Sequence, residues 1–381
     1  MNHQAGFRIA GEGRMRGQWL GRYTGDVSGS IMINLDEVKD HFEGVAYLHP
    51  DRSEIPGSVV YFHTADKRAE HDVTAFTAPI DPRTGFQTTW DELKKLYPAE
   101  IQHSDVAQVQ IKQFENSLFI EGTTDLGTTI HGELTRPDEK SESKITGEKT
   151  TWSDFKSYVS NISESGYLFR GQKEPWKLCT SFHRRGRYRI SEFINNDVKQ
   201  LHQRLSAMTS HYFDLSSPEQ NGAFFNLLQH HGYPTPLLDW THSPYVAAFF
   251  AFRDWPISYS GDEYVRIYVL NKRAWQASYR QVQYLDPSYP HLSVSEFIAI
   301  NNPRLSPQQA ATTATNIYDI EAYVIGKEVE SSVKYLHAFD IPAKERHAVM
   351  ADLRFMGITA ASMFPGIDGV CEELRERNFD R

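Results

Sequence analysis

Two stretches of the 381-residue chain gather side chains that could do chemistry. In YLFRGQ, Tyr167 to Gln172, an apolar strand ends on Arg170, Gly171 and Gln172. In QHHGYPTPLLDWTHSP, Gln229 to Pro244, the residues His230, Asp239, Thr241 and Ser243 crowd a corner that opens the apolar helix YVAAFFAF. A guanidinium at the end of a buried strand needs an anionic partner, because desolvating it unpaired is expensive. One partner is an internal carboxylate, with Asp239 the obvious candidate. The other is a ligand phosphate, which arginine grips through two parallel hydrogen bonds. His230 and His231 stand at a helix end, where the dipole favours a cation, so capping competes with catalysis there. Asp239, Thr241 and Ser243 alternate along an extended segment and share one side. Ser243 also reads as the N-cap before Pro244 at the first helical position.

Three further groups carry weaker signals. FHRRGRYR, Phe182 to Arg189, interleaves four arginines with aromatic rings, as a phosphate- or base-contacting loop would. A plain solvated face gives the same pattern. YDIEAYV places Asp319 and Glu321 two apart, which on a strand puts both carboxylates on one face. Such a pair can supply an acid–base group and a hydroxyl-orienting group, or it can be an exposed strand face. Upstream, Arg304, Gln308 and Gln309 lie in a loop or helix start.

The elements that must position these groups fall into two halves. Residues 17–135 are short alternating runs divided by Gly, Pro, Asn and Asp turns, which predicts an all-β sandwich or small barrel. FENSLF reads as a hairpin around Glu115-Asn116. The polar tract 136–150 reads as a linker. Helical periods follow, so the expected division is a β-rich domain over 1–140 and an α+β domain over 150–381. Ser191 is expected to cap the longest helix, an apolar stripe running to Tyr212 over about 30 Å. IYDIEAYVIG and KYLHAFDIP read as strands.

Composition narrows the function. A net charge of −9 argues against a general nucleic-acid coat or anionic-membrane attachment. Two cysteines, Cys179 and Cys371, without a CxxC pair disfavour a thiolate zinc site and a disulfide framework. No apolar run is long enough to span a bilayer. These features predict a cytoplasmic protein without a membrane partner or a metal. No phosphate-binding P-loop, dinucleotide fingerprint, nucleophile elbow or HExxH is present.

The quoted motifs resemble the FRG domain, named for its Phe-Arg-Gly motif. YLFRGQ with WKL after it, then QHHGYPTPLLDWTHSPYVAAFFAF, NPRLSPQQA, and the closing FDIPAKERHAVMADLRFMGITAASMFPGIDGV follow that family's order from about 150 to 375. His231 stands where the family has Tyr. Ala310 and Ala311 replace a Gly and a large apolar residue, which weakens the role of Gln309. The resemblance implies a domain of bacterial and phage proteins linked to defence or toxicity. The order of elements is also similar to ADP-ribosyltransferases, which implies NAD as a substrate and a protein or nucleic-acid acceptor. In that likeness Arg170, Thr241, Gln309 and Glu321 are catalytic, and Arg170, Gly171, Gln172, His230, Asp239 and Ser243 bind NAD. Glu321 would stabilise the oxocarbenium-like centre. The rival expectation is a nucleotide- or phosphate-binding module that turns nothing over. A third is a nuclease or phosphodiesterase built on His230, Asp239 and the arginine run. A pocket poor in carboxylates favours binding, and Glu321 on its wall favours transfer.

Overall fold

The computed structural model describes residues 15–379, apart from 138, 163, 254–260, 283, 284 and 299. The first half builds β1 (Gly17–Gly25), β2 (Gly29–Val38), β3 (His41–Pro50), β4 (Gly57–His63), β5 (Glu70–Ile80), β6 (Val106–Phe114), β7 (Ser117–Thr124) and β8 (Thr129–Thr135). Each strand pairs antiparallel with the next, and β1 closes on β8. Of the sandwich and the barrel, the barrel forms. Alternation is the cause: along β5, His71, Val73 and Ala75 are buried and Asp72, Thr74 and Phe76 are exposed. Trp19, Tyr23, Leu35, Phe42, Ile111 and Leu134 fill the interior, so the barrel is a packed core rather than a ligand chamber. Glu115, at φ 45°, turns the predicted β6–β7 hairpin.

The second half builds a seven-stranded sheet from β9 (Glu148–Lys149), β10 (Leu168–Gln172), β11 (Leu237–Thr241), β12 (Tyr264–Leu270), β13 (Leu292–Ser295), β14 (Ala310–Thr315) and β15 (Leu336–Pro342). Their order is β13-β14-β11-β10-β12-β15-β9. Helix Pro244–Phe252, apolar on nearly every side, packs on one face with Phe169, Val265, Ile267 and Phe339. Leu168, Tyr268, Leu270 and helix Ile320–Ser331 fill the other face.

Three expectations change. IYDIEAYVIG is helix Ile320–Ser331, capped by Asp319, not a strand. Ile320 and Val324, one turn apart, carry it into the core, and this period of four outweighs the alternation. The long helix begins behind Arg189, passes through a π-helical stretch at Phe193–Val198, and stops at Leu205. Met208 and Tyr212 lie beyond it and are exposed. The tract 136–150 is not a free tether. Lys177 N–H donates to the Ser141 carbonyl at 2.7 Å, Ser143 N–H to that of Pro175 at 2.9 Å, and β9 adds a parallel edge to β15.

Candidate functional site

The site grows from a defect in the second sheet. β10 and β11 share one register pair, Phe169 with Thr241, and then part. Phe169 and Gly171 face the helix Pro244–Phe252, so Arg170 turns to the other side. Gly171 is required by space: a Cβ there would lie 1.9 Å from the Ala247 carbonyl oxygen. Arg170 Nη1 donates to the main-chain carbonyl of Asp239 at 2.6 Å, and its Nε is buried without a partner. Burial weighs against the Arg170 charge, and the nearby Asp239 carboxylate offsets only part of that. The expected Arg170–Asp239 side-chain ion pair is absent. The Asp239 carboxylate is exposed and accepts from Gln229 instead.

The cavity at this gap measures about 1150 Å³, above the ~300–1000 Å³ usual for small-molecule sites. Arg170, Gly171, Gln172, His230, Asp239 and Thr241 all line it. The sequence-distant residues of the corner therefore meet. Burial, reinforced by Arg304, pushes His230 below the usual histidine range. The Thr241 hydroxyl braces the loop, donating to the Gln308 carbonyl at 2.7 Å and accepting from Ser243 N–H at 3.0 Å. Ser243 is outside the lining and caps Val246 N–H at 3.3 Å.

Besides Ser243, three expected site residues lie elsewhere: Glu321, Asp319 and Gln309. Glu321 is fully buried and off the cavity wall. Its Oε1 accepts from Leu178 N–H (2.9 Å) and the Tyr268 hydroxyl (3.0 Å), and its Oε2 from Lys144 N–H (2.7 Å) and the Ser143 hydroxyl (3.0 Å). Sitting in a helix rather than a strand, it points into the core behind Tyr268, the register partner of Arg170. Asp319 is similarly committed. Burial would raise its pKa, but the Ala322 amide, Lys177 and Lys144 outweigh that and hold it low. Gln309, at φ 45°, is also off the wall, and its neighbour Gln308 occupies the lining. Gln308 Nε2 donates to the Met363 carbonyl at 2.9 Å.

The cavity is strongly cationic. Arg16, Lys140, Arg170, Lys173, Lys177, Arg184, Arg185 and Arg304 line it, against Glu139 and Asp239. Lys177 is paired with Asp319, and Glu139 with Arg136. Arg16, Arg170, Arg184, Arg185 and Arg304 form no ion pair with a carboxylate among the described residues, although Asp239 lies near Arg170 and Glu37 near Arg16. Partly buried arginines elsewhere are paired: Arg187 with Asp197, Arg189 with Glu43, Arg253 with Glu372, Arg266 with Asp340 and Arg346 with Glu376. Aromatic rings interleave, with Arg304 5.2 Å from the centroid of Phe364, beside Phe250. The arginine run and the quoted motifs that hold Arg304 and Phe364 signalled part of this wall; Arg16 and Lys140 carried no local signal. No cluster of three or more potential metal ligands occurs among the described residues. No described helix is long and apolar enough to cross a membrane.

Residues 165–257 match the family model of the FRG domain. That interval holds Arg170, the arginine run, the polar corner and the capped helix, but neither Arg16, Lys140, Arg304 nor Phe364. No curated protein matches the chain.

Proposed function

With an FRG domain at residues 165–257 as the premise, we propose that the cavity binds a nucleotide-class ligand through its phosphates and holds it without turnover. The observation that carries this reading is the group of five cavity arginines without a carboxylate ion pair among the described residues, in a chain of net charge −9. A cationic concavity with low-dielectric walls concentrates anions. Arginine forks recognise phosphate in two-point fashion. Phe250 and Phe364 offer apolar faces for a base. ADP-ribosyl transfer from NAD is the less supported reading, because its carboxylate, Glu321, is spent on four internal hydrogen bonds.

Calorimetric titration of ADP, NAD, inorganic pyrophosphate and a 5′-phosphorylated oligonucleotide tests the proposal. ADP is expected to bind more weakly as salt rises. Arg170→Ala is expected to lose about tenfold or more in affinity, the scale of a charge-assisted contact. Arg170→Lys should restore part of it, keeping charge without the fork. Melting should hold in both variants, since the Asp239 carboxylate is exposed and stays solvated without Arg170. Preference for the oligonucleotide would assign the site to nucleic-acid ends. Absence of binding by all four would overturn the proposal. Nicotinamide release from NAD would restore the transferase reading.

A further inference from the structure

The cavity wall extends beyond the FRG domain. Arg16 lies just before β1, and Lys140 shortly after β8. Because β1 and β8 pair to close the barrel, the chain's entry and exit share one rim. Closure therefore brings Arg16 and Lys140 to the same side, facing the second half of the chain. Arg16 is exposed, without a carboxylate ion pair among the described residues, and packed against Gly186 in the arginine run. A Cβ on Gly186 would lie 3.1 Å from its guanidinium carbon, and the φ of 73° at this position favours glycine.

The rim is held in register with the domain it faces. Tyr188 N–H donates to Asp36 Oδ1 at 2.6 Å, and Arg189 pairs with Glu43 of β3. Gln18 of β1 donates to the Asn316 carbonyl at 2.7 Å and accepts from Tyr318 N–H at 3.0 Å. Tyr188 and Tyr318 both line the cavity, so the same residues dock the barrel and shape the site. The segment carrying Lys140 is laced down by the Ser141 and Ser143 main-chain bonds and by Glu321.

The charges also have an order along the wall. His230 feels Arg304 and Asp239, and Arg170 feels Asp239 and Arg184. Arg184 Nη1 holds the Cys179 carbonyl at 2.9 Å, and two residues on, Gly186 meets Arg16. The succession runs from the aromatic end at Arg304 and Phe364, past Arg170 and Arg184, to the barrel rim.

We propose that the barrel rim completes the anion site: Arg170 and Arg184 hold the inner phosphates of a nucleoside polyphosphate, and Arg16 and Lys140 hold the outermost one. The barrel is then a specificity element, setting how many phosphates the site accepts. This rests on the nucleotide-binding reading of the cavity.

Titrations of ADP and ATP, both without divalent metal, test it on the full chain. The wild type is expected to bind ATP about tenfold more tightly than ADP, the scale of one extra charge-assisted contact set. Arg16→Ala and Lys140→Ala should each remove most of that ratio by weakening ATP far more than ADP. Arg16→Lys should retain most of it. Both positions are exposed, so melting temperatures should match the wild type and show that folding is intact. Equal ATP and ADP affinities in the wild type, or rim variants with the wild-type ratio, would overturn the rim assignment alone, provided Arg170→Ala still loses both ligands. A wild type that binds neither nucleotide would overturn the nucleotide-binding reading and this inference with it.

Discussion

At the scale of single residues, Arg170 and Glu321 exchange the roles their types suggest. A strand-terminal arginine beside an aspartate suggests a buried ion pair. Instead Arg170 takes a main-chain carbonyl and leaves Nε without a partner. A guanidinium held that way retains charge for a ligand, at a desolvation cost. Glu321, which looks catalytic by spacing, has both oxygens filled by internal donors. Glu321→Gln tests that assignment. The amide group would face one main-chain N–H with another donor, so chemical denaturation should show a loss of about 2–3 kcal/mol, the cost of an unsatisfied buried donor. ADP affinity per folded molecule should stay within about twofold, well under the tenfold of a lost direct contact. Unchanged stability with lost ligand chemistry would return Glu321 to the site.

Among the elements, β10 shows how three consecutive residues divide three tasks. Phe169 anchors the strand in the core beneath helix Pro244–Phe252. Arg170 turns through the pleat to the cavity. Gly171 lets the helix backbone approach, with Ala247 carbonyl oxygen and Ala251 nitrogen where a side chain would stand. That helix is fixed at its start by Ser243 and Pro244. The capped helix and the short strand thus hold the gap between β10 and β11 open. In Gly171→Ala, a Cβ 1.9 Å from backbone oxygen cannot be relieved by a rotamer change. Overpacking of this kind costs roughly 3 kcal/mol or more. Urea midpoints check the value, and a loss below about 0.5 kcal/mol, the range of a neutral surface change, would show that strand and helix are not held this close.

For the whole molecule, the barrel docks through an apolar patch of Met32, Val45, Tyr47, Val59, Ile80 and Ile317 edged by polar contacts. Tyr47 of β3 donates to Asp286 Oδ1 at 3.4 Å, and His49 contacts the Ser288 carbonyl at 3.1 Å. Burial pushes the Asp286 carboxyl up to about 7. A raised carboxyl pKa means the folded state favours the proton. Its contribution to stability is full below the unfolded pKa of about 4, falls as pH rises toward 7, and is flat above. Asp286→Asn keeps an acceptor and removes the titration. Melting curves from pH 4 to 8 should show the variant gaining on the wild type up to about pH 7 and then running parallel. Identical profiles would show that Asp286 titrates as an exposed carboxyl.

What the sequence determined by itself is what depends on near neighbours. Alternation with turn residues at short intervals set the β-rich half, and Ser-Pro before an apolar run set the helix Pro244–Phe252. The joint occurrence of Arg170 with His230, Asp239 and Thr241 in quoted motifs was enough to place them in one cavity. Tertiary structure decided the rest. Closure of β1 on β8, a pairing between the ends of a domain, made a barrel where a sandwich was equally consistent and carried Arg16 and Lys140 to the site. At Glu321 two periodicities competed over a few residues, and burial of Ile320 and Val324 chose the helix, turning the carboxylate into the core. The charge of the cavity was legible only in part, for the same reason. A net charge of −9 is a sum along the chain, whereas a binding field depends on which charges are paired in space.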